Sequence, residues 1–362
     1  MRILHAESSL GWGGQENRTL NEMIGLRERG HQIAVVSRPG ARLLQRAQAA
    51  GFETFAVDMR GAGDLPALWR LRRLLTRLHA DVVNTHSGRD TQLAGLAART
   101  LVGRRPRIVR TRHLALPITS QFSYSIIPDR VVAVSRFVER YLIEAGVPAA
   151  RVCTVPTGID FNHYQAAAGG GNLKAELGLA SDSLLIGTVA ILRAKKGHAE
   201  ILSAAARVLV AFPQAHFVFA GDGPQTANLQ ARITAEGLDR QVHLLGLRSD
   251  VSNVLQSLDL FVLPTHQEAL GTAFIEAAAL AVPAIGSRID GVPEVIQDGV
   301  TGLLVPVRDS DALAAAIIAL LADPDRRRQM GRRASEYARS HFSREKMAAG
   351  MEGVYQALVE KR

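Results

Sequence analysis

The stretch FVLPTHQEALGTAFIEAAALAVPAIGSRI, residues 261–289, decides the fold class. It opens inside an apolar run at 260–263, turns at Gly271 into a helical segment, and reaches a second apolar run at 284–286. An apolar strand, a helix and another apolar strand form a βαβ unit, whose two strands are parallel. The stretch therefore predicts a parallel sheet that is covered by helices.

The same alternation extends in both directions along the chain. Before residue 165 the strand-like runs are Arg2–His5, Gln32–Ser37, Asp81–Thr85, Arg107–Thr111 and Arg130–Val134. After residue 172 they are Leu184–Val189, His216–Ala220, Val242–Leu245, Leu260–Leu263, Ala284–Gly286 and Gly302–Val305. Two of the intervening helices stop at Gly30 and Gly51, where a glycine is favoured just beyond the helix end. Two sets of parallel strands predict an α/β protein with two doubly wound, Rossmann-like domains.

The boundary between the two domains is predicted at a short, flexible segment. Residues 165–172 read QAAAGGGN, a composition typical of linkers. A chain of 362 residues also exceeds the usual size of one domain. We therefore predict an N-terminal domain at 1–165 and a second domain at 172–342, with the last helix, 343–362, packing back on the first domain.

Composition excludes several classes of protein. Apolar residues make up 47% of the chain and charged residues 21%, as in globular proteins. The single cysteine, Cys153, excludes an intramolecular disulfide. The longest apolar run, 312–322, is well short of the roughly 20 residues that cross a bilayer, and the start of the sequence lacks the apolar core of a signal peptide. These features predict a cytoplasmic protein.

The net charge of +9 is unevenly distributed. Residues 1–165 carry +10 and the remainder carries −1. A basic surface attracts anionic lipid headgroups, phosphorylated glycans or nucleic acid. No pattern of stacking aromatic residues accompanies the arginines, so we expect no nucleic-acid partner.

One basic segment has helical periodicity. Arg70, Arg72, Arg73 and Arg77 interleave with leucines and Trp69. This pattern is typical of a helix lying on an anionic membrane, and equally of a core-packed helix with a solvated arginine face. Further arginines between residues 99 and 112 favour peripheral association with the cytoplasmic face of a membrane.

The turn around Gly271 is the strongest candidate for a ligand site. A helix that begins after a parallel strand offers unpaired N–H groups to an anion, and here Gly271, Thr272 and Ala273 would hold a phosphate. Glu268 before the helix and Glu276 within it are carboxylates that can accept hydrogen bonds from sugar hydroxyls. The pair predicts a site for a sugar-bearing phosphate ligand.

An ordered set of motifs makes the resemblance specific. The chain resembles the retaining glycosyltransferases of family four, of the bacterial cell-envelope and lipopolysaccharide type, over nearly its whole length. The motifs are Gly13–Gly14, THS at 85–87, TRH at 111–113, VPTGID at 155–160, LRAKKGH at 192–198, AGDGP at 220–224, Glu268 with Glu276, and GVPEVIQDGVTGLLV from Gly291. The resemblance implies the GT-B fold, two facing Rossmann-like domains with a cleft between them, the first binding the acceptor and the second the donor.

The resemblance also implies roles for single residues. Arg193 and Lys196 would neutralise the leaving nucleoside diphosphate, although they stand three positions apart where five is the commonest spacing. Glu268 would position the donor sugar and Glu276 would bind the ribose. His113 would contact the transferred sugar near the bond that breaks, with His86 in a capping or supporting role.

Two further motifs resemble cofactor-binding sequences. Gly13 and Gly14 form a flexible turn whose N–H groups can approach a phosphate, but Glu16 stands where a dinucleotide fingerprint needs glycine. Asp309 and Asp311 have the spacing of a metal–diphosphate motif, but they open an apolar helix and are better explained as helix-capping residues. We therefore predict neither a metal nor another cofactor.

The sequence as a whole predicts a glycosyltransferase, and the resemblance implies that it is a retaining one. It would move a sugar from a UDP- or GDP-sugar donor to a cell-envelope glycan or lipid-linked acceptor such as lipopolysaccharide. A nucleotide-sugar epimerase and a non-catalytic nucleotide-sugar-binding protein are the alternatives. Release of a rearranged sugar without an acceptor would indicate the epimerase.

Overall fold

The chain forms two compact units in the computed structural model, which describes residues 1–61, 63–114, 116–166 and 171–361. The first unit contains Met1–Ile159 and Phe342–Arg362, and the second contains Asp160–His341. The chain thus leaves the first unit shortly before the expected boundary at residue 165. Of the expected linker at 165–172, residues 167–170 lie outside the described residues.

Strands and helices alternate along the first unit. In chain order they are β1 (Arg2–Glu7), α1 (Gly14–Glu28), β2 (Gln32–Ser37), α2 (Arg42–Ala49), β3 (Glu53–Ala56), α3 (Leu65–Leu78), β4 (Val82–Thr85), α4 (Gly88–Arg99), β5 (Arg107–Arg112), β6 (Arg130–Ala133), α5 (Arg136–Glu144) and β7 (Val152–Thr154). The strands form one parallel sheet in the order β3-β2-β1-β4-β5-β6-β7.

The second unit repeats this plan. Its elements are α6 (Phe161–Ala166), α7 (Leu173–Glu176), β8 (Leu184–Val189), α8 (His198–Ala211), β9 (Ala215–Ala220), α9 (Thr226–Ala235), β10 (Val242–Gly246), α10 (Val251–Gln256), β11 (Leu260–Leu263), α11 (Thr272–Ala279), β12 (Ala284–Ser287), α12 (Val292–Val295), β13 (Gly302–Val305), α13 (Ser310–Ala322) and α14 (Pro324–Phe342). Its parallel sheet has the order β10-β9-β8-β11-β12-β13. The final helix, α15 (Arg344–Val359), belongs to the first unit.

Both sheets have the strand order of a doubly wound fold, so the predicted Rossmann-like class is confirmed. In each sheet the third, second and first strands lie on one side, and the fourth and later strands lie on the other. The order therefore reverses between β1 and β4 in the first unit and between β8 and β11 in the second. Ligands of such sheets bind outside the carboxyl ends of the strands at this reversal.

Each sheet is buried on both faces because helices cover both. Neighbouring strand residues point to opposite sides: Leu4 and Val83 lie in one buried cluster of the first unit, and Ile3 and Val82 lie in another. This is why the strands read as continuous apolar runs rather than as alternating patterns.

The strands that the sequence did not predict are the two edge strands of the first sheet. In β3 no residue is fully buried, and it begins with a charged side chain, Glu53. The strand β7 has three residues, of which Cys153 and Thr154 are half-buried. Short, partly exposed strands lack the apolar run that marks the central ones.

The helix α15 packs against α1 in the first unit. Met347 and Tyr355 share a buried cluster with Met23. The two helices approach so closely that a Cβ atom at Gly25 would lie 2.7 Å from the Cβ of Ala348. The last residues of the chain therefore complete the core of the first sheet.

The described helices include none that is both long enough and apolar enough to cross a membrane. The most apolar segment of the sequence forms α13, which buries Leu313, Ile317 and Leu320 in the core of the second unit.

Candidate active site

The loops that follow β8 and β11 are tied together at the point where the strand order of the second sheet reverses. The Thr265 hydroxyl and the His266 backbone N–H both donate hydrogen bonds to the Lys195 carbonyl, at 3.0 and 2.7 Å. The His266 ring also bonds the Glu200 carboxylate of α8, with 2.8 Å between Nε2 and Oε1. These contacts fix the loop after β8, which carries Lys195 and Lys196, beside the loop that leads into α11.

This arrangement brings Lys196 and Glu268 into contact. The Lys196 ammonium lies 2.5 Å from Glu268 Oε2, and the two side chains remain 20% and 17% exposed. The Glu268 backbone N–H donates to Asp290 Oδ2 at 2.9 Å, and burial, with the Glu268 charge as a smaller cause, raises the pKa of Asp290. A cation and a carboxylate thus stand together at a partly open edge of the sheet.

Two neighbouring cations flank this pair. Arg193 is exposed and begins the turn, and its carbonyl accepts the Lys196 N–H at 2.9 Å. Lys195 is half-buried, and burial together with the charge of Lys196 lowers its pKa. Sequence reasoning singled out Arg193 and Lys196 but not Lys195, whose part in the cluster follows from contacts across the sheet.

Glycines at two positions allow these loops to pack. Gly197 has φ +76°, and a Cβ atom there would lie 2.1 Å from the Pro264 carbonyl oxygen. Gly271 has φ +99° and precedes α11, and a Cβ atom there would lie 2.6 Å from the Phe274 ring. The N-cap residue of α11 is Gly271, which has no side chain to cap the helix, and Thr272 and Ala273 form the first turn. The N-terminus of α11 therefore keeps donors for a ligand.

Glu276 lies one turn further along α11. Tyr164 of α6 donates a hydrogen bond to its carboxylate, and the surrounding protein desolvates the carboxyl and raises its pKa to about 7. The same burial, with the Glu276 charge as a second cause, raises the pKa of Tyr164. Nothing in the sequence near Tyr164 marks it as a partner of a residue more than a hundred positions away.

His113 lies in the first unit, directly after β5. It is 8% exposed, and burial, followed by the charges of nearby arginines, holds its pKa well below the usual range. Its Nε2 lies 3.0 Å from Nδ1 of His86, the residue that follows β4. His86 therefore supports His113 directly, and the cap of α4 is Ser87 with Asp90.

Gly13 and Gly14 lie after β1 in the same unit. Gly13 is the cap of α1, and its N–H donates to Glu16 Oε2 at 2.8 Å. A Cβ atom on Gly14 would meet nothing within 4 Å. An anion at this turn would have to displace the Glu16 carboxylate from the Gly13 N–H.

Asp309 caps a helix. Its carboxylate accepts a hydrogen bond from the Ala312 N–H at 2.8 Å, and Asp311 pairs with Arg207 at 2.8 Å. The described ranges contain no cluster of three or more histidine, cysteine, aspartate or glutamate side chains placed to hold a metal ion.

Comparison with known proteins assigns the chain to a family. A family model described as Glycosyltransferase Family 4 matches residues 12–163, and one described as Glycosyl transferases group 1 matches residues 171–337. Together the two models match most of the chain.

Two relatives of assigned activity extend this match. N-acetyl-alpha-D-glucosaminyl L-malate synthase of Bacillus anthracis is 27% identical over 363 residues, which cover 96% of this chain and 94% of that protein. UDP-Gal:alpha-D-GlcNAc-diphosphoundecaprenol alpha-1,3-galactosyltransferase of Escherichia coli is 28% identical over 277 residues, 72% of this chain and 71% of that protein.

Solved structures share the fold over nearly the whole chain. Anabaena HepE in complex with UDP and glucose has a TM-score of 0.85 at 20% identity and covers 98% of this chain and 99% of its own. A glycosyltransferase from Rickettsia africae has a TM-score of 0.89 at 20% identity, with coverage of 100% and 99%. With its two Rossmann-like units and both family models in order, the chain belongs to the glycosyltransferases of family 4 and has the GT-B fold.

Proposed function

We propose that the protein is a retaining glycosyltransferase that uses a nucleotide-diphosphate sugar, with the donor bound at the reversal point of the second sheet. The observation that carries this proposal is the convergence of Lys196, Glu268 and the uncapped start of α11 within one partly exposed site. Cations and helix N–H groups bind a diphosphate, and carboxylates bind sugar hydroxyls. UDP is the first candidate, because the E. coli relative is named for UDP-Gal and HepE was crystallised with UDP.

Donor binding would have to rearrange the ion pair between Lys196 and Glu268. Lys196 bonds Glu268 in the free protein. An incoming diphosphate would draw the ammonium toward itself, and Glu268 would then be free to accept a hydrogen bond from the donor sugar. Arg193 would approach the diphosphate from its exposed position at the start of the turn. Glu276, deeper along α11, would accept from the ribose hydroxyls.

The resemblance to the retaining glycosyltransferases of family four implies the chemical step. The bond between the anomeric carbon and the diphosphate oxygen breaks, and the acceptor oxygen forms the new bond on the same face. The acceptor proton passes to an oxygen of the leaving diphosphate. Lys196 and Arg193 would stabilise the charge that develops on that leaving group, an effect that is largest in the transition state.

The first unit is proposed to bind the acceptor. By resemblance, His113 contacts the transferred sugar, and Gly13 and Gly14 leave room beside the start of α1. The excess of positive charge in residues 1–165 suits an anionic acceptor, such as a lipid-linked diphosphate sugar or lipopolysaccharide. With either of these acceptors, the product would be a cell-envelope glycan.

Peripheral membrane association at the cytoplasmic face is part of the same proposal. The helix α3 buries Leu71, Leu74 and Leu75 but leaves Leu65 72% and Trp69 57% exposed. The Arg73 guanidinium lies 4.6 Å from the centre of the Trp69 ring. Exposed apolar side chains among arginines are what an anionic lipid surface would bind.

A thermal-shift screen tests the donor assignment. UDP, GDP, ADP and their sugar conjugates are added to the protein, and a ligand that binds the native state raises its melting temperature. We expect a uridine or guanosine diphosphate to raise it and ADP to have little effect. The Glu276→Ala variant should lose affinity in titration calorimetry. Unchanged affinity in that variant would remove Glu276 from the ribose role, and no shift with any nucleotide would refute the donor site.

A further inference from the structure

Three buried histidines form a row at the reversal point of the first sheet. His5 lies on β1, His86 follows β4 and His113 follows β5, and these strands are neighbours in the sheet. The Nδ1 atom of His5 lies 3.0 Å from Nε2 of His86. The Nδ1 atom of His86 lies 3.0 Å from Nε2 of His113. The same two ring atoms are thus used at each step along the row.

Hydrogen bonding restricts the row to two arrangements. Burial lowers the pKa of all three histidines, so each ring is neutral and carries one N–H and one lone pair. If the His86 Nε2–H donates to His5, then His86 Nδ1 must accept from the His113 Nε2–H. The protons therefore stand either on all three Nε2 atoms or on all three Nδ1 atoms.

A buried carboxylate lies at the inner end of the row. Glu22 Oε1 is 4.0 Å from His5 Nε2, and both side chains are fully buried. Arg18 pairs with the other oxygen of Glu22 at 2.7 Å, and the Tyr355 hydroxyl and the Asn84 amide donate to Oε1 at 2.7 and 3.0 Å. A carboxylate is favoured by a facing N–H and disfavoured by a facing lone pair.

One nearby hydroxyl does not alter this preference. Thr19 Oγ1 lies 3.4 Å from His86 Nδ1, whereas its hydroxyl donates to the Gln15 carbonyl at 3.0 Å. The contact between His86 and His113 is shorter by several tenths of an ångström, and it determines where the proton of this step lies.

We propose that Glu22, acting through His5 and His86, holds His113 in the Nε2–H tautomer, so that His113 presents Nδ1 as a hydrogen-bond acceptor to a substrate hydroxyl. The last clause rests on the proposed function, and the tautomer assignment does not. Glu22, His5 and His86 are positioning residues in this account. None of them touches the substrate.

Nuclear magnetic resonance tests the tautomer directly. The full chain is labelled with ¹⁵N-histidine, and long-range ¹H–¹⁵N correlations report which ring nitrogen of each histidine carries the proton. We expect Nε2–H for His5, His86 and His113. Finding Nδ1–H in the wild-type row, or a charged His113 at neutral pH, would overturn the proposal.

Variants of His5 test the connection along the row. His5→Leu removes the acceptor for the His86 Nε2–H, so His113 should show a mixture of tautomers. His5→Asn supplies an amide oxygen near the position of Nδ1 and should restore the single Nε2–H form. Glu22→Gln, which removes the charge, should also produce a mixture. An unaltered His113 spectrum in both His5→Leu and Glu22→Gln would overturn the proposal.

Steady-state kinetics then separate the tautomer assignment from the proposed contact between His113 and the substrate. His5→Leu should lower kcat about tenfold and leave the KM for the donor within about twofold, because one hydrogen bond at the reacting sugar is misaligned. His5→Asn should recover most of kcat. Altered tautomers with unchanged kcat would refute the substrate role of His113 and support the row itself. A lowered kcat with unaltered tautomers would refute the row.

Discussion

The two sheets reverse their strand order in the same way but fill the reversal point differently. In the first unit the point between β1 and β4 is occupied by buried polar side chains that bond one another, including His5, His86 and Glu22. In the second unit the point between β8 and β11 carries Lys196 and Glu268, which stay partly exposed. One architecture therefore supports an edge whose buried polar side chains mainly contact one another and an edge with charged groups available to a ligand. The difference lies in side chains, not in topology.

Replacing Lys196 should give the largest effect and test the open edge. In Lys196→Ala the leaving diphosphate would lose a cation that we propose stabilises its charge, and we expect kcat to fall about 100- to 1000-fold. The measurement is the initial rate with whichever nucleotide sugar gives a thermal shift. Arg207→Ala in the same unit, which removes an exposed pair with Asp311, is the matched control and should keep the wild-type rate. Equal rates in the two variants would contradict the role of Lys196.

Glu276→Gln should change how the stability of the protein depends on pH. The folded-state pKa of Glu276 is about 7, above the ordinary value for glutamate, so the folded state binds the proton more tightly. Stability is therefore lost as pH rises from about 4.5 to 7, and ionised Glu276 destabilises the free protein above that window by up to about 3 kcal/mol, less where solvent reaches the carboxyl.

The amide variant removes this titration. Chemical denaturation should show Glu276→Gln and wild type equally stable near pH 4.5, with the variant about 1 to 3 kcal/mol more stable at pH 8. If the unfolding free energies of wild type and Glu276→Gln changed with pH in parallel, the ionised Glu276 carboxylate would not destabilise the folded protein.

Tyr355→Phe tests the buried polar network at the reversal point of the first sheet. Its hydroxyl donates to Glu22 and accepts from Asn84, and both contacts are buried. Removing one buried hydrogen-bond partner from each of these side chains should cost about 1 to 3 kcal/mol of unfolding free energy, measured in urea. Nucleotide affinity, which we assign to the second unit, should stay within about twofold of wild type. A large loss of affinity with unchanged stability would be inconsistent with a purely internal network.

Replacing one arginine of α3 should have the smallest effect. Each basic side chain near an anionic bilayer contributes about 1 kcal/mol, so Arg73→Ala should weaken sedimentation with anionic liposomes about fivefold. Replacing Arg70, Arg72, Arg73 and Arg77 together should nearly abolish it, whereas Arg207→Ala should bind as wild type does. Unchanged sedimentation of the fourfold variant would mean that the arginines of α3 only face solvent and do not bind the membrane.

The sequence predicted the parts of the molecule that local patterns determine. The central strands, the turn at Gly271 and the capping role of Asp309 all depend on residues that are close together in the chain. The edge strands β3 and β7 were missed because they are short and only partly buried.

The partners of the candidate site residues could not be read from the sequence. Tyr164 of α6 contacts Glu276 of α11, and His5 of β1 contacts His86, which follows the neighbouring strand β4. No local pattern joins such positions, because strand order and side-chain direction decide which of them meet. The motifs predict candidate site residues, and the structure shows which side chains each of them contacts.

The return of the chain to its first unit has a consequence for how the protein is made. Residues 160–341 are one uninterrupted segment, whereas the first unit is split between the two ends of the sequence. Met347 and Tyr355, which help to cover one face of the first sheet, are synthesised only after residues 160–341, so that face stays uncovered while the second unit is made. Deleting α15 should therefore damage the first unit, whereas the second unit, residues 160–341, is continuous in the sequence.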